Sequence, residues 1–150
     1  MIMAHSKIVV SEILTPIFNP DTFCVPFYAS TVQAGFPSPA EDDRIERALD
    51  LNDHLIKNKS STFLVRVSGH SMKDAGILDG DLLVVDRGLN PKSGQIVVAI
   101  LNGDLTVKRF KEDSGEVTLE ANNPHYPSLF LKNEDELIVW GVVTSVIHKF

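Results

Sequence analysis

The chain has 150 residues, 43% of them hydrophobic and 23% charged, which is the balance of one compact globular domain and excludes a disordered or fibrous chain. Its formal net charge of −6 excludes a broad phosphate-binding face, which needs clustered Lys and Arg, so direct specific DNA binding is not expected. The lone Cys24 excludes an internal disulfide, no signal-peptide pattern opens the chain, and apolar runs such as 96–101 fall far short of the ~20 residues that span a bilayer.

A cytoplasmic protein without membrane attachment is therefore expected. Residues 1–37 read as a flexible arm, because Pro16, Pro20 and Pro26 break its short apolar runs and interrupt both helix and central strand. Ser38, Pro39 and Glu41 then match an N-cap, a first-turn proline and an acidic partner, which predicts a short helix. Its apolar stripe runs through Ile45, Ala48, Leu49, Leu55 and Ile56 with a break near Asn52, and residues 57–61 end it. From Thr62 onward the pattern becomes short β-rich runs at 63–67, 82–86, 95–101, 105–110, 117–120 and 137–148. The expected fold is mainly β: short twisted sheets with one short N-terminal helix, forming a domain over 38–150 behind the arm. Asn102-Gly103 between two of the runs is a hairpin signal, since both turn positions tolerate positive φ. A two-residue turn there pairs Leu101 with Asp104, Ala99 with Thr106 and Val97 with Lys108, so Lys108 shares a face with Val97, Ala99, Thr106 and Phe110.

The chemistry concentrates between the first two of these strands, where Gly69, Gly76 and Gly80 surround Ser71. A nucleophilic serine needs a tight backbone whose own N–H groups can face a developing oxyanion, and glycines permit that geometry. Composition alone also fits a glycine-rich connection. The serine needs a base. His70 adjoins Ser71, but neighbouring side chains on an extended backbone point apart, and His5, His54, His125 and His148 show no obvious orienting partner. Lysine serves only when desolvated, and moving its pKa from ~10.4 to ~7 costs about 4–5 kcal/mol, which a protein tolerates for a purpose. Lys108 has apolar neighbours suited to this; the alternative is an edge-strand lysine snorkelling to water. A substrate lies in the chain itself, because the Ala34-Gly35 bond has no branched side chain and can enter a narrow cleft. Tethering raises its effective concentration, although an Ala-Gly dipeptide also fits a plain linker. The histidines and the cysteine lack ligand spacing, so neither a metal nor another cofactor is expected.

Taken together, Ser68-Gly69-His70-Ser71-Met72 with Gly76, Ile77, Gly80 and Asp81, Thr106-Val107-Lys108, and the run from Ala34 to Pro39 resemble the LexA/UmuD-like family of Ser-Lys peptidases, and within it the UmuD type. The likeness runs from about Gln33 to the C-terminus and takes in Asp50-Leu51-Asn52, residues 80–86 and Trp140-Gly141-Val142-Val143. It implies a LexA/UmuD-type peptidase fold, Ser71 as nucleophile, Lys108 as general base, self-cleavage at Ala34-Gly35, and an oxyanion held by the backbone N–H groups of Ser71 and Met72. It also implies stimulation by a RecA filament on single-stranded DNA, a homodimer, a UmuC-like translesion polymerase as partner, and replicative polymerase subunits as further partners. Some relatives carry Cys-Gly at the cut; here Cys24 precedes Val25, so Cys24 is not the cleavage residue. The proline-broken stretch before Ala34 is too short for the helix-turn-helix domain of LexA-type repressors, which disfavours a DNA-binding repressor. A reading from another class remains open: a non-cleaving dimeric module whose arm masks partner surfaces.

Overall fold

The computed structural model describes residues 9–14, 22–28 and 45–150. In chain order its strands are β1 (Val9–Leu14), β2 (Cys24–Tyr28), β3 (Ile45–Asp50), β4 (Thr62–Ser68), β5 (Leu82–Asp86), β6 (Ile96–Leu101), β7 (Asp104–Asp113), β8 (Glu116–Glu120), β9 (Leu129–Phe130) and β10 (Leu137–Ile147). One helix, α1 (Leu51–Leu55), follows β3. The described residues of Met1–Pro16 with Asn58–Phe150 form one compact unit, and those of Ile17–Lys57 form a second.

The larger unit is one antiparallel sheet in the order β1-β4-β5-β10-β6-β7-β8-β9. β1 also lies against β7, so the sheet curls towards closure. Because side chains alternate along a strand, neighbours on β6 feed opposite faces. Val98 joins Phe63, Val65, Val67, Met72, Ile77, Leu83, Val85 and Val107 in one buried cluster. Val97 and Ala99 join Phe110, Leu119 and Val142 in the other. β10 links the two halves by pairing with β5 and β6, and its register shifts between Val139 and Gly141 and again between Val143 and Ser145. At the first bulge the backbones approach closely, since a Cβ on Gly141 would stand 2.6 Å from Val85 Cγ1 and 3.1 Å from the Asp86 carbonyl oxygen.

At the end of β5 the buried Asp86 carboxylate accepts hydrogen bonds from Ser61 Oγ at 2.6 Å, Asn58 Nδ2 at 2.6 Å and the Gly88 N–H at 2.8 Å. Burial alone would raise its pKa, but these three bonds outweigh burial and hold it below the usual aspartate value of 3.8.

The smaller unit pairs β2 with β3 and continues into α1. Arg47 lays its guanidinium 5.5 Å from the centroid of the Phe27 ring.

Each of the six β runs read from the sequence is a strand, with ends moved by a few residues. β9 was not foreseen, because two residues carry no periodicity. The predicted helix through Ile45 differs: residues 45–50 are strand, and the helix begins only at Leu51, where Asp50 Oδ1 accepts the Asn52 N–H at 2.8 Å. Pairing with β2 supplies backbone partners that override the local helical preference of Glu46, Arg47 and Ala48. Within the stretch read as an arm, β1 pairs with β4 and β2 with β3. Pro26 stands opposite Ala48 in a two-stranded ribbon, where a proline needs no second strand beside it. Ser38, Pro39 and Glu41 lie outside the described residues.

Candidate active site

Two segments bring the predicted serine and lysine together. The first is the β6–β7 hairpin. Asn102 and Gly103 take φ of 49° and 86°, the turn in which both central residues are left-handed. The resulting register pairs Leu101 with Asp104, Ala99 with Thr106 and Val97 with Lys108, as the sequence requires. Lys108 therefore leaves the sheet on the face of Val97, Ala99 and Phe110 and is only 6% exposed.

The second is the loop 69–81 between β4 and β5. Gly69 enters it with φ 99° and a short 3-10 turn follows at Lys73–Ala75. Met72 and Ile77 are fully buried in the core and pin the loop from below, each worth about 1.5–3 kcal/mol of burial. Asp79 Oδ1 accepts the Gly69 N–H at 2.8 Å, and Asp81 Oδ2 accepts the Leu78 N–H at 2.8 Å. The other Asp81 oxygen meets His148 Nδ1 at 2.5 Å.

Ser71 itself is fully buried, and Lys108 Nζ donates to Ser71 Oγ at 3.1 Å. The serine hydroxyl and the amine thus share a site from which bulk water is excluded. An amine can accept the hydroxyl proton only when neutral, and burial favours the neutral form of any amine. Among the described residues the backbone N–H groups of Ser71 and Met72 meet no acceptor, which leaves two adjacent donors beside the Ser71 hydroxyl. Ala34 and Gly35, the expected cleavage site, lie outside the described residues. No group of three or more His, Cys, Asp or Glu suited to a metal ion occurs among the described residues, nor a helix long and apolar enough to cross a membrane.

Sequence reasoning missed the side chains that hold the loop. His148 was read as having no orienting partner, whereas it pairs with buried Asp81. Asn122 and Asn123 were not singled out. The Asn122 carbonyl accepts the Asp74 N–H at 2.7 Å, and Asn123 Nδ2 donates to the His70 carbonyl at 2.8 Å. Arg109, beside Lys108 on β7, donates to Asn122 Oδ1 at 2.9 Å and to the Gly94 carbonyl at 2.7 Å. The signal available was the adjacent Asn-Asn-Pro, which marks a turn but not what the turn touches.

The family model described as Peptidase S24-like matches residues 26–144. The chain is 42% identical over 130 residues to Protein ImpA of Salmonella typhimurium, covering 86% of this chain and 87% of that one. It is 42% identical over 137 residues to Protein SamA of Salmonella typhimurium strain LT2, covering 91% and 94%. LexA repressor 1 of Pseudomonas syringae pv. tomato is 40% identical over 132 residues, which cover 87% of this chain but 64% of the repressor.

Proposed function

Because the chain belongs to the peptidase S24-like family as a UmuD-like member, we propose that it is a self-cleaving serine endopeptidase in which Ser71 attacks the Ala34 carbonyl and Lys108 serves as base. The observation that carries this reading is the buried contact of 3.1 Å between Ser71 Oγ and Lys108 Nζ.

In this mechanism neutral Lys108 takes the hydroxyl proton as Ser71 Oγ bonds to the Ala34 carbonyl carbon. The negative charge that develops on the carbonyl oxygen is met by the Ser71 and Met72 N–H groups. Collapse breaks the Ala34-Gly35 bond, Lys108 returns the proton to the departing Gly35 amine, and Ala34 stays esterified to Ser71. Lys108 then deprotonates a water that releases residues 1–34 and restores the serine. Residues 35–150 remain, a fragment that includes the whole of the peptidase domain expected over 38–150. The reading extends to the setting: cleavage is stimulated by a RecA filament on single-stranded DNA in the cytoplasm, and the shortened homodimer joins a UmuC-type translesion polymerase.

Intact mass followed over time, from about pH 7 to about pH 10, tests the chemistry. The expected result is fragments 1–34 and 35–150 at a rate that rises with pH, with Ser71→Ala and Lys108→Ala each left whole. Cleavage by either variant at Ala34-Gly35 overturns the mechanism. No cleavage of the wild type, even with RecA, nucleotide and single-stranded DNA, would leave a peptidase fold serving as a binding module.

A further inference from the structure

The Ser71 N–H is one end of the peptide that joins His70 to Ser71, and the His70 carbonyl is the other. In a trans peptide the two groups lie in one plane and point in opposite directions, and no cis bond occurs among the described residues. Whatever pins the His70 carbonyl therefore aims the Ser71 N–H. That carbonyl accepts two hydrogen bonds, from the Lys73 N–H at 3.1 Å and from Asn123 Nδ2 at 2.8 Å. The first comes from the same short turn and moves with it. The second comes from 53 residues away and, among the described residues, is the side-chain bond that ties this peptide plane to a distant part of the chain.

The orientation of the Asn123 amide is itself determined. Its Oδ1 accepts the His125 N–H at 3.0 Å, so the NH₂ group is the half left to face His70. The adjacent Asn122 carbonyl receives the Asp74 N–H at 2.7 Å, three residues beyond Ser71. Arg109 ties Asn122 back to the strand that carries Lys108. The nucleophile loop is thus gripped on both sides of Ser71 by one turn anchored beside Lys108.

We propose that Asn123 is a positioning residue for the self-cleavage reaction: by holding the His70 carbonyl it turns the Ser71 N–H towards the oxygen of the carbonyl under attack. The inference rests on the peptidase reading above. It concerns the stabilisation of the oxyanion and not the basicity of Lys108, and this separates it from a merely structural role.

Asn123→Asp tests it. The aspartate is isosteric and keeps the oxygen that accepts the His125 N–H, so the turn survives, but it has no hydrogen to give the His70 carbonyl. The expected result is a self-cleavage rate about tenfold or more below wild type across the whole pH range, a fraction of the loss from deleting an oxyanion donor outright. The midpoint of the pH profile stays in place and thermal stability changes little. Asn123→Gln, which retains an amide donor, recovers part of the rate. Cleavage by Asn123→Asp within about twofold of wild type overturns the proposal, and so does a displaced midpoint with an unchanged plateau. The residual dipolar coupling of the Ser71 N–H decides the matter independently of turnover. A changed coupling in Asn123→Asp, with those of β6 and β7 constant, upholds the orienting bond; an unchanged coupling overturns it. A wild type that does not cleave would refute the peptidase reading alone, and the coupling would still report on Asn123.

Discussion

Lys108 and Ser71 are presented by two regions built on different rules. Lys108 belongs to a hairpin whose register continues unbroken from Ile96 opposite Arg109 to Leu101 opposite Asp104. Every step of that ladder repeats the one before, so the position of Lys108 is over-determined by its neighbours. Ser71 belongs to a loop shaped by single, unlike bonds: Asp79 on Gly69, Asp81 on Leu78, His148 on Asp81, Asn123 on His70, and the Asn122 carbonyl on Asp74. None of these has a neighbour that repeats it. Lys108 thus rests on redundancy and Ser71 on a few specific contacts, so damage at the two should look different.

The largest effect is expected where the loop meets the core. Ile77 is fully buried, and Ile77→Ala should cost about 2–5 kcal/mol in urea unfolding, from lost burial and the cavity left behind. Its loop should also lose self-cleavage beyond what the unfolded fraction explains. A loss under about 1 kcal/mol would mean that the polar contacts hold the loop without its apolar anchor.

A smaller effect, of a different character, is expected in the hairpin. Gly103 has φ 86°, and a Cβ there would meet nothing within 4 Å, so Gly103→Ala adds backbone strain and no clash. The strain should cost about 1–2 kcal/mol. Self-cleavage per folded molecule should stay near wild type, because the pairs on either side of the turn still hold the register. A specific loss of cleavage, with stability accounted for, would show that the hairpin is no more redundant than the loop.

This contrast also explains what could be read from the sequence. The register of Lys108 was legible because Asn102-Gly103 is a local instruction, acting on residues that touch within one turn. The glycines around Ser71 announced a structured loop, but not its shape. The partners that tie it to the rest of the fold lie far off in sequence, 53 residues for Asn123 with His70 and 67 for His148 with Asp81. No pattern in a single sequence encodes such pairs. Residues 45–50 failed for the same reason: Glu46, Arg47 and Ala48 favour helix locally, and only the strand at Cys24–Tyr28 makes them β.

The smallest effect concerns Asp86, where specific side-chain bonds again hold a segment, at a place remote from the proposed chemistry. Burial acts to raise its pKa, yet the bonds from Ser61, Asn58 and the Gly88 N–H keep the net value below 3.8. A group whose folded pKa lies below its unfolded one contributes stability that is fully present above the unfolded value and lost as pH falls through the folded value. The wild type should therefore lose this contribution on acidification below about pH 4. Asp86→Asn has no such charge and keeps only part of the hydrogen bonding, so at neutral pH it should be less stable by about 1 kcal/mol. Urea midpoints measured for both proteins from about pH 7 to about pH 3 should converge as the wild-type carboxylate is protonated. A gap that stays constant across that range would mean that the size and shape of Asp86, and not its ionised hydrogen bonding, secure the end of β5. The specific-contact rule drawn from the Ser71 loop would then not extend to this second polar knot.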